Sequence, residues 1–230
     1  MNKTPSEIID DLNKKFADNF AKWKGLPDPS LDRIFVGLYC VSAVGEILST
    51  KRTSSHHDIC CKIFDEMFAD GASSVYLATI AMDKPASVIL RRILELGIAA
   101  VYLWDMPHNA HGWKEHDGDL SFSEMISHLN SKGYITYVNL ETKTSTPITE
   151  LVSATEAQKL YGSLSDIVHG KITTFETTIP ERFSFNEKEW KEFVLIAEQV
   201  IFLLLNLFVL RFSIKNEIIL KIPNSKNELK

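Results

Sequence analysis

Two long apolar segments constrain the fold of this chain more than any other feature of its sequence. Between residues 88 and 104, only Arg91, Arg92 and Glu95 are strongly polar. Between residues 193 and 212, 16 of the 20 residues are apolar. A helix that is apolar on nearly every side is a buried helix, and charges on such a helix need partners from neighbouring elements. We therefore expect both segments to be helices at the centre of an α-helical fold.

The second apolar segment is also long enough to cross a lipid bilayer. Glu198 lies well inside it, however, and a central acidic residue costs about 2.5–3.5 kcal/mol on membrane-insertion scales. Gln199 and Asn206 are seven residues apart and so share one narrow helical face. We interpret the segment as a core helix with a polar stripe, and a membrane span is the alternative.

Helical periodicity and capping signals recur along the rest of the chain. Apolar residues recur at four-residue spacing over 8–20. Two serines are each followed three residues later by a glutamate, which is the spacing of a capping box. These pairs are Ser121 with Glu124 and Ser153 with Glu156. Residues 134–149 alternate weakly, as in a short β-hairpin or an irregular excursion. The sequence thus predicts an all-α bundle of about six helices, with at most one small hairpin.

The chain has no internal repeat and no low-complexity tract, and we treat residues 1–230 as one helical domain. A chain of this length can bury a sizeable core. We expect that core over about 60–212, with N-terminal helices within 5–50 and a polar C-terminal tail over 213–230.

Charge and cysteine content narrow the class of protein. The net charge of −5 argues against a surface built mainly to hold nucleic acid, although a local basic cleft is compatible with it. Cys40, Cys60 and Cys61 suggest neither a disulfide framework nor a CxxC metal site, so a reducing compartment is the simpler interpretation. The first 16 residues lack the apolar core of a signal peptide. We therefore expect a soluble cytoplasmic protein that does not associate with a membrane.

Three polar residues of the 153–169 helix form the first candidate site. Tyr161, Ser165 and His169 are each four residues apart and so lie on one helical face. Histidine is the side chain best suited to proton transfer near neutral pH. The alternative is a core histidine that hydrogen-bonds a neighbouring carbonyl group.

Arg91 and Glu95 form a second candidate pair, four residues apart on the apolar 85–105 helix. A buried arginine usually needs more than one such partner. Asp166 or the end of the 153–169 helix is expected to supply the rest. Structural and functional roles are equally open for this pair.

These two helices carry a family resemblance. The segments DKPASVILRRILELGIAAVYLWD and LYGSLSDIVHGK resemble the HEPN superfamily, and in particular bacterial HEPN-like families with an Arg-x3-Glu helix and a Ser-x3-His-Gly helix. The resemblance covers roughly residues 60–210. Many HEPN proteins are metal-independent endoribonucleases that act as dimers in toxin–antitoxin, abortive-infection and CRISPR-linked defence systems. The resemblance therefore implies a helical bundle, a homodimer and action on RNA.

The chain departs from the HEPN ribonuclease signature, which is an arginine, usually followed by a polar residue, with a histidine four to six residues beyond. Counting back from His169 places Leu164 at the arginine position. Arg91 or Arg92 of the neighbouring helix is then the source of the missing cation. A literal match occurs at Arg52-Thr-Ser-Ser-His-His57, between helices and away from the expected last-helix context.

Two further histidine clusters suggest other roles. His108, His111 and His116 have spacings that suit zinc, but no cysteine is nearby and a solvated turn explains them equally well. His56 and His57 precede Asp58 at a helix start, where local capping is the expected role. The sequence has no P-loop, GxGxxG, HExxH or GxSxG motif. We therefore expect neither a metal nor an organic cofactor.

Two functions are compatible with these observations. In the first, a HEPN-like cytoplasmic effector cleaves RNA, with His169 in proton transfer and Arg91 or Arg92 stabilising the developing phosphate charge. Its expected partners are a second copy of the chain, RNA, and a cognate antitoxin or sensor protein. In the second, the chain is a non-catalytic helical binding or regulatory module. Its buried polar network of His169, Ser165, Arg91 and Glu95 then fixes how two helices pack.

Overall fold

The computed structural model describes residues 3–26, 30–143, 147–169 and 183–229. These ranges contain ten α-helices and no β-strand, so the predicted all-α fold class is confirmed. In chain order the helices are α1 Pro5–Lys24, α2 Ser30–Thr50, α3 His56–Thr79, α4 Asp83–Asp105, α5 Pro107–Lys114, α6 Phe122–Leu129, α7 Lys132–Thr142, α8 Ala154–Val168, α9 Glu187–Phe212 and α10 Lys215–Lys221. A 3₁₀ turn, Pro223–Asn227, follows the last helix.

The helix α4 is the centre of the fold, as its composition predicts. It lies against α3, α8 and α9 along its length, and against α5 and α6 as well. Most of its aliphatic side chains are less than 5% exposed. Close packing needs small residues at the contacts, and Gly97 brings the α4 backbone against the side chain of Leu204 on α9. Five helices thus pack around α4.

The helix α9 confirms the prediction of a core helix with a polar stripe. Gln199 and Asn206 are both exposed, whereas Glu198 is largely covered and pairs with Arg33 of α2 at 3.3 Å. By length and composition alone α9 also passes as a membrane span, but 56% of its most apolar window is buried inside the protein. A core helix of a soluble protein meets the same criterion.

The four phenylalanines of α9 do not form an exposed apolar surface. Phe193 and Phe208 are buried in the core. Phe202 is covered by the guanidinium of Arg33 at 5.3 Å, and Phe212 lies with its edge toward Trp104 at 5.4 Å. The exposed apolar residues of this helix are instead Leu195 and Leu210, which are 55% and 37% exposed.

The hairpin considered for residues 134–149 is wrong, because most of this segment lies in α7. The hydroxyl of Ser131 caps this helix by accepting a hydrogen bond from the backbone N–H of Tyr134. Tyr134 and Val138, four residues apart, are buried on one face. Asn139 then holds the following chain, because its side chain exchanges two hydrogen bonds with the backbone of Ile148. The weak alternation of the segment suggested a hairpin, but packing of one helical face decided its structure.

The C-terminal segment is not the polar tail that its composition predicts. The helix α10 and the 3₁₀ turn pack on α2. Ile214 and Ile218 are fully buried, and Leu229 is 4% exposed. Exposed ion pairs support this contact, including Lys221 to Glu46 at 2.7 Å. The apolar residues of the segment are few, but they recur at helical spacing and face the core.

Two glycines provide a test of the helix packing. A Cβ at Gly45 of α2 would lie 2.7 Å from Cβ of Phe64, which is fully buried on α3, whereas nothing lies within 4 Å of the same position at Gly162 of α8. Because Cβ of Phe64 moves only with its backbone, we expect Gly45→Ala to destabilise the protein by about 1–3 kcal/mol. Gly162→Ala should instead stabilise it by up to about 1 kcal/mol through helix propensity. Urea unfolding followed by circular dichroism measures both, and equal effects would contradict the α2–α3 packing.

Candidate functional site

The structure brings together three of the residues that the sequence singled out, at the contact between α4 and α8. Nη2 of Arg91 donates a hydrogen bond to the hydroxyl of Tyr161 at 2.8 Å, and its Nε donates to Oε1 of Glu95 at 3.2 Å. The guanidinium carbon also lies 4.8 Å from the centre of the Tyr161 ring. Phe122 of α6 stacks on that ring at 4.2 Å. We call Arg91, Glu95 and Tyr161 the Arg91 cluster.

The Arg91 cluster connects helices as the sequence predicts, with one change of partner. The side chain of Arg91 is 16% exposed, and α8 supplies its second partner through the phenol of Tyr161. Asp166, which we expected in this role, is partly buried further along the same helix. Arg91 donates a charged hydrogen bond to the Tyr161 phenol, whose ring is also stacked on Phe122. These contacts fix the position of α8 along α4.

Arg92 does not join this cluster. Its guanidinium pairs with Asp70 and with Glu66, both on α3, the latter at 3.3 Å. Successive residues of an α-helix are separated by about 100°, so the side chains of Arg91 and Arg92 leave α4 toward different neighbours. Of the two arginines considered for the missing cation, only Arg91 approaches α8.

Ser165 and His169 share a helix with Tyr161 but have different surroundings. The hydroxyl oxygen of Ser165 is buried and has no hydrogen-bond partner among the described residues. His169 is exposed and ends the helix, where its backbone N–H donates to the carbonyl oxygen of Ser165 at 2.9 Å. The core-histidine alternative is therefore wrong for this side chain. Two turns of helix, about 12 Å of axial rise, separate His169 from Tyr161.

A second polar cluster, which we call the Arg211 cluster, lies where the C-terminal ends of α4 and α9 meet α7. The buried guanidinium of Arg211 donates from Nε and Nη2 to both oxygens of Asp105, at 2.7 and 2.5 Å. The hydroxyls of Tyr134 and Tyr137 donate to the same carboxylate, at 2.5 and 3.2 Å. The side chains of Arg211 and Asp105 are only 8% and 9% exposed.

Burial and pairing shift the pKa of Arg211 in opposite directions. Burial by itself lowers the pKa of Arg211, but the hydrogen bonds and charge of Asp105 outweigh it and raise that pKa above its ordinary value. Burial, followed by the charge of Asp105, raises the pKa of the Tyr134 phenol. At neutral pH the cluster therefore holds one cation, one anion and two neutral phenols.

His56 and His57, at the start of α3, lie beside the Arg211 cluster. Nε2 of His56 is 2.9 Å from the carbonyl oxygen of Trp104, and its Nδ1 is 2.9 Å from the hydroxyl of Ser54. A carbonyl oxygen only accepts, so Nε2 carries the hydrogen and His56 connects the start of α3 to the end of α4. The start of α3 has no side-chain cap, so the role of His56 is a contact between helices and not the local capping that the sequence suggested.

The ring of His57 lines a cleft, whereas the ring of His56 connects two helices. The ring lies parallel to that of Trp104 at 3.8 Å, and its Nδ1 accepts a hydrogen bond from the backbone N–H of Thr53 at 3.2 Å. Burial, and then the charge of His56, lowers the pKa of His57. The neutral ring, with its hydrogen on Nε2, is therefore the favoured form near neutral pH.

Both histidines line a cleft of about 540 Å³. The aromatic part of its wall comes from Trp104, Tyr137 and Phe212, and the charged part from Lys51, Asp105, Glu141 and Arg211. Sequence reasoning missed this arrangement, although two signals were present. Arg211 interrupts an apolar helix, and Asp105 ends another. Nothing in the sequence indicated that these two residues pair.

The histidines considered as a zinc site do not form one. Within the described ranges, no group of three or more His, Cys, Asp or Glu side chains is placed to hold a metal ion. His108, His111 and His116 are all exposed, in or just after α5.

Comparison with known proteins leaves the function to be argued from these sites. No protein-family model matches the chain, and neither a curated protein nor a solved structure does. The HEPN resemblance consequently remains an interpretation of the sequence motifs.

The ion pair of the Arg211 cluster provides a second test. Asp105→Asn keeps the shape of the side chain but leaves the guanidinium buried without its counter-charge, so we expect a loss of about 3–5 kcal/mol in the free energy of unfolding. The matched control is Lys221→Met, which breaks an exposed pair with Glu46 and should cost less than about 1 kcal/mol. Chemical denaturation at pH 7 measures both. A cost for Asp105→Asn as small as that of the control would refute a structural role for the pair.

Proposed function

We propose that the protein is a HEPN-like cytoplasmic effector that cleaves RNA without a metal ion, with His169 as the proton-transfer group. The single observation that carries the proposal is the contrast within α8. Tyr161 is fixed by Arg91 and Phe122, whereas His169 stands exposed at the end of the same helix. The protein thus anchors α8 at its middle and presents an imidazole to solvent at its C-terminal end.

The proposed reaction is a transesterification within the RNA. The imidazole of His169 takes the proton of a ribose 2′-hydroxyl, and the 2′-oxygen forms a bond to the adjacent phosphorus. The bond from phosphorus to the 5′-oxygen of the next nucleotide breaks, that oxygen takes up a proton from water, and the remaining hydroxide takes the proton back from the imidazolium of His169. The products are a 2′,3′-cyclic phosphate and a 5′-hydroxyl, so atoms and charge balance without a metal or a cofactor.

The position of Arg91 changes its proposed role. A tyrosine side chain on a helix leans toward the N-terminus, so the phenol that holds Arg91 points away from His169. With about 12 Å of helix between Tyr161 and His169, Arg91 of the same subunit does not reach the phosphate next to the ribose whose proton His169 takes. We therefore assign Arg91, Glu95 and Tyr161 to positioning α8. The cation that stabilises the phosphate charge must then come from elsewhere, and a second copy of the chain is its simplest source.

A specific observation favours a second candidate, the non-catalytic binding or regulatory module. Arg91 is paired with Glu95 and hydrogen-bonded to Tyr161, as expected of a network that fixes helix packing. In this case the chain acts through a partner such as a cognate antitoxin or sensor, and His169 is a surface residue.

His169→Ala separates the two candidates. Because the side chain is exposed, we expect the free energy of unfolding of the variant to lie within about 0.5 kcal/mol of the wild-type value. If His169 transfers the proton, cleavage of varied RNAs in EDTA should fall by about 100-fold or more. The control is His108→Ala, another exposed histidine, which should leave cleavage unchanged. A wild type that is inert toward all the RNAs, or a fully active His169→Ala, would refute the catalytic proposal.

The composite site requires a homodimer, which light scattering at micromolar concentration tests. We expect a mass of about twice the 26.0 kDa of one chain. If cleavage occurs and the mass is that of one chain, the cation is supplied within the subunit and the composite arrangement is refuted.

A further inference from the structure

The cleft beside the Arg211 cluster has flat, rigid walls. The rings of His57 and Trp104 are parallel at 3.8 Å with an angle of 4° between them, and Phe212 meets the Trp104 ring edge-on. Tyr137 adds a fourth ring, 39% exposed, whose centre is 5.4 Å from the guanidinium carbon of Arg211. Rings that hold one another by stacking have few rotamers to lose, so they favour a flat ligand with little ordering cost.

The charged side chains that line the cleft differ in whether they take part in an ion pair. Arg211 is paired with Asp105 at the back, and Lys51 is paired with Glu217 at 2.9 Å. Glu141, exposed on α7 and part of the lining, takes part in none of the ion pairs within the described ranges. The lining is thus left with a carboxylate and not a cation as its unmatched charge, which disfavours phosphate groups.

We propose that this cleft binds an uncharged nucleoside as a free small molecule. The base stacks on Tyr137, the most exposed of the lining rings, because Trp104 and His57 line the cleft but are only 9% and 7% exposed. Carboxylates readily accept hydrogen bonds from ribose hydroxyls, which is the role of Glu141. A volume of about 540 Å³ lies within the usual range for small-molecule sites. The site is independent of the RNA cleavage proposed above, because Asp105 lies 14 residues, about 21 Å along the axis of α4, from Arg91.

The charge of the cleft distinguishes a free nucleoside from a nucleotide or RNA strand that carries the same base. A free nucleoside carries no phosphate, whereas an RNA strand or a nucleoside 5′-monophosphate brings negative charge close to Glu141. We expect one of the four common ribonucleosides to bind at millimolar concentration or tighter, and its 5′-monophosphate to bind more weakly. Unpaired RNA should not compete for the cleft.

Tryptophan indole signals of the ¹⁵N-labelled full chain report the binding site directly. The chain has four tryptophans, and Trp104 lines the cleft while Trp190 is packed on Trp23 beside the opposite end of α4. Titration with adenosine, guanosine, cytidine and uridine should shift the Trp104 signal and leave that of Trp190 unchanged. The Trp104 signal is identified by its loss in Trp104→Phe.

Two variants with matched controls locate the contacts. Tyr137→Leu should weaken nucleoside binding by about tenfold, since base stacking on one ring contributes on that order. Tyr76→Leu, at an exposed tyrosine of α3, should not. Glu141→Gln should improve binding of the monophosphate relative to the nucleoside by about fivefold, and Glu192→Gln on α9 should leave the ratio unchanged.

Three results would each overturn the proposal. The first is that no nucleoside moves the Trp104 signal at millimolar concentration. The second is that a folded Tyr137→Leu binds as tightly as the wild type. The third is that the monophosphate or RNA binds more tightly than the nucleoside. None of these results bears on RNA cleavage by His169, so failure of this site and failure of the catalytic proposal are distinguishable.

Discussion

Burial of α4 is the constraint on which the rest of the structure depends. A helix that is apolar on nearly every side must be enclosed, and each charge that it carries then needs a partner from a neighbouring helix. Arg91 is matched by Tyr161 of α8, Arg92 by Glu66 and Asp70 of α3, and Asp105 by Arg211 of α9. The charges on one helix thus fix the positions of three others around it.

The same requirement separates residues that hold the fold from residues that are free for chemistry. Arg91 and Arg211 are both engaged by carboxylates and phenols, and a cation in such a network is worth more to packing than to a substrate. His169 and Glu141 are exposed, and neither is part of these networks. The proposed functions rest on these exposed residues. The paired arginines hold the helices that carry them.

The two proposed sites lie at different places along α4. Arg91 and Asp105 are 14 residues apart, which corresponds to about 21 Å along the helix axis. At that distance a nucleoside in the cleft does not contact Arg91. The rigid α4 nevertheless connects the two places, so a ligand that alters the packing of α7 or α9 has a physical route to α8. Such coupling would require a second arrangement of these helices, which is a separate question from binding itself.

The sequence by itself determined that α4 and α9 are buried helices and where α6 and α8 begin. The apolar composition of α4 and α9, the stripe of Gln199 and Asn206, and the caps at Ser121 and Ser153 depend on residues within a few turns of one another. It also indicated that Arg91 and Glu95 would pair, because their four-residue spacing places them on one face. It did not determine α7, since the β-branched residues there favour a strand until Tyr134 and Val138 are packed against the core.

Only the tertiary structure decided where the functional candidates lie. The side chain of Arg211 is bonded to a residue 106 positions away, and His56 to one 48 positions away. Local patterns carry no information about such distances, because which charged residue meets which depends on how whole helices pack. The surroundings of His57, in the literal Arg52-to-His57 match, likewise depend on how the helices pack. No local pattern favoured the Arg52-to-His57 match, but the contact between α3 and the end of α4 places the His57 ring in the wall of a cleft.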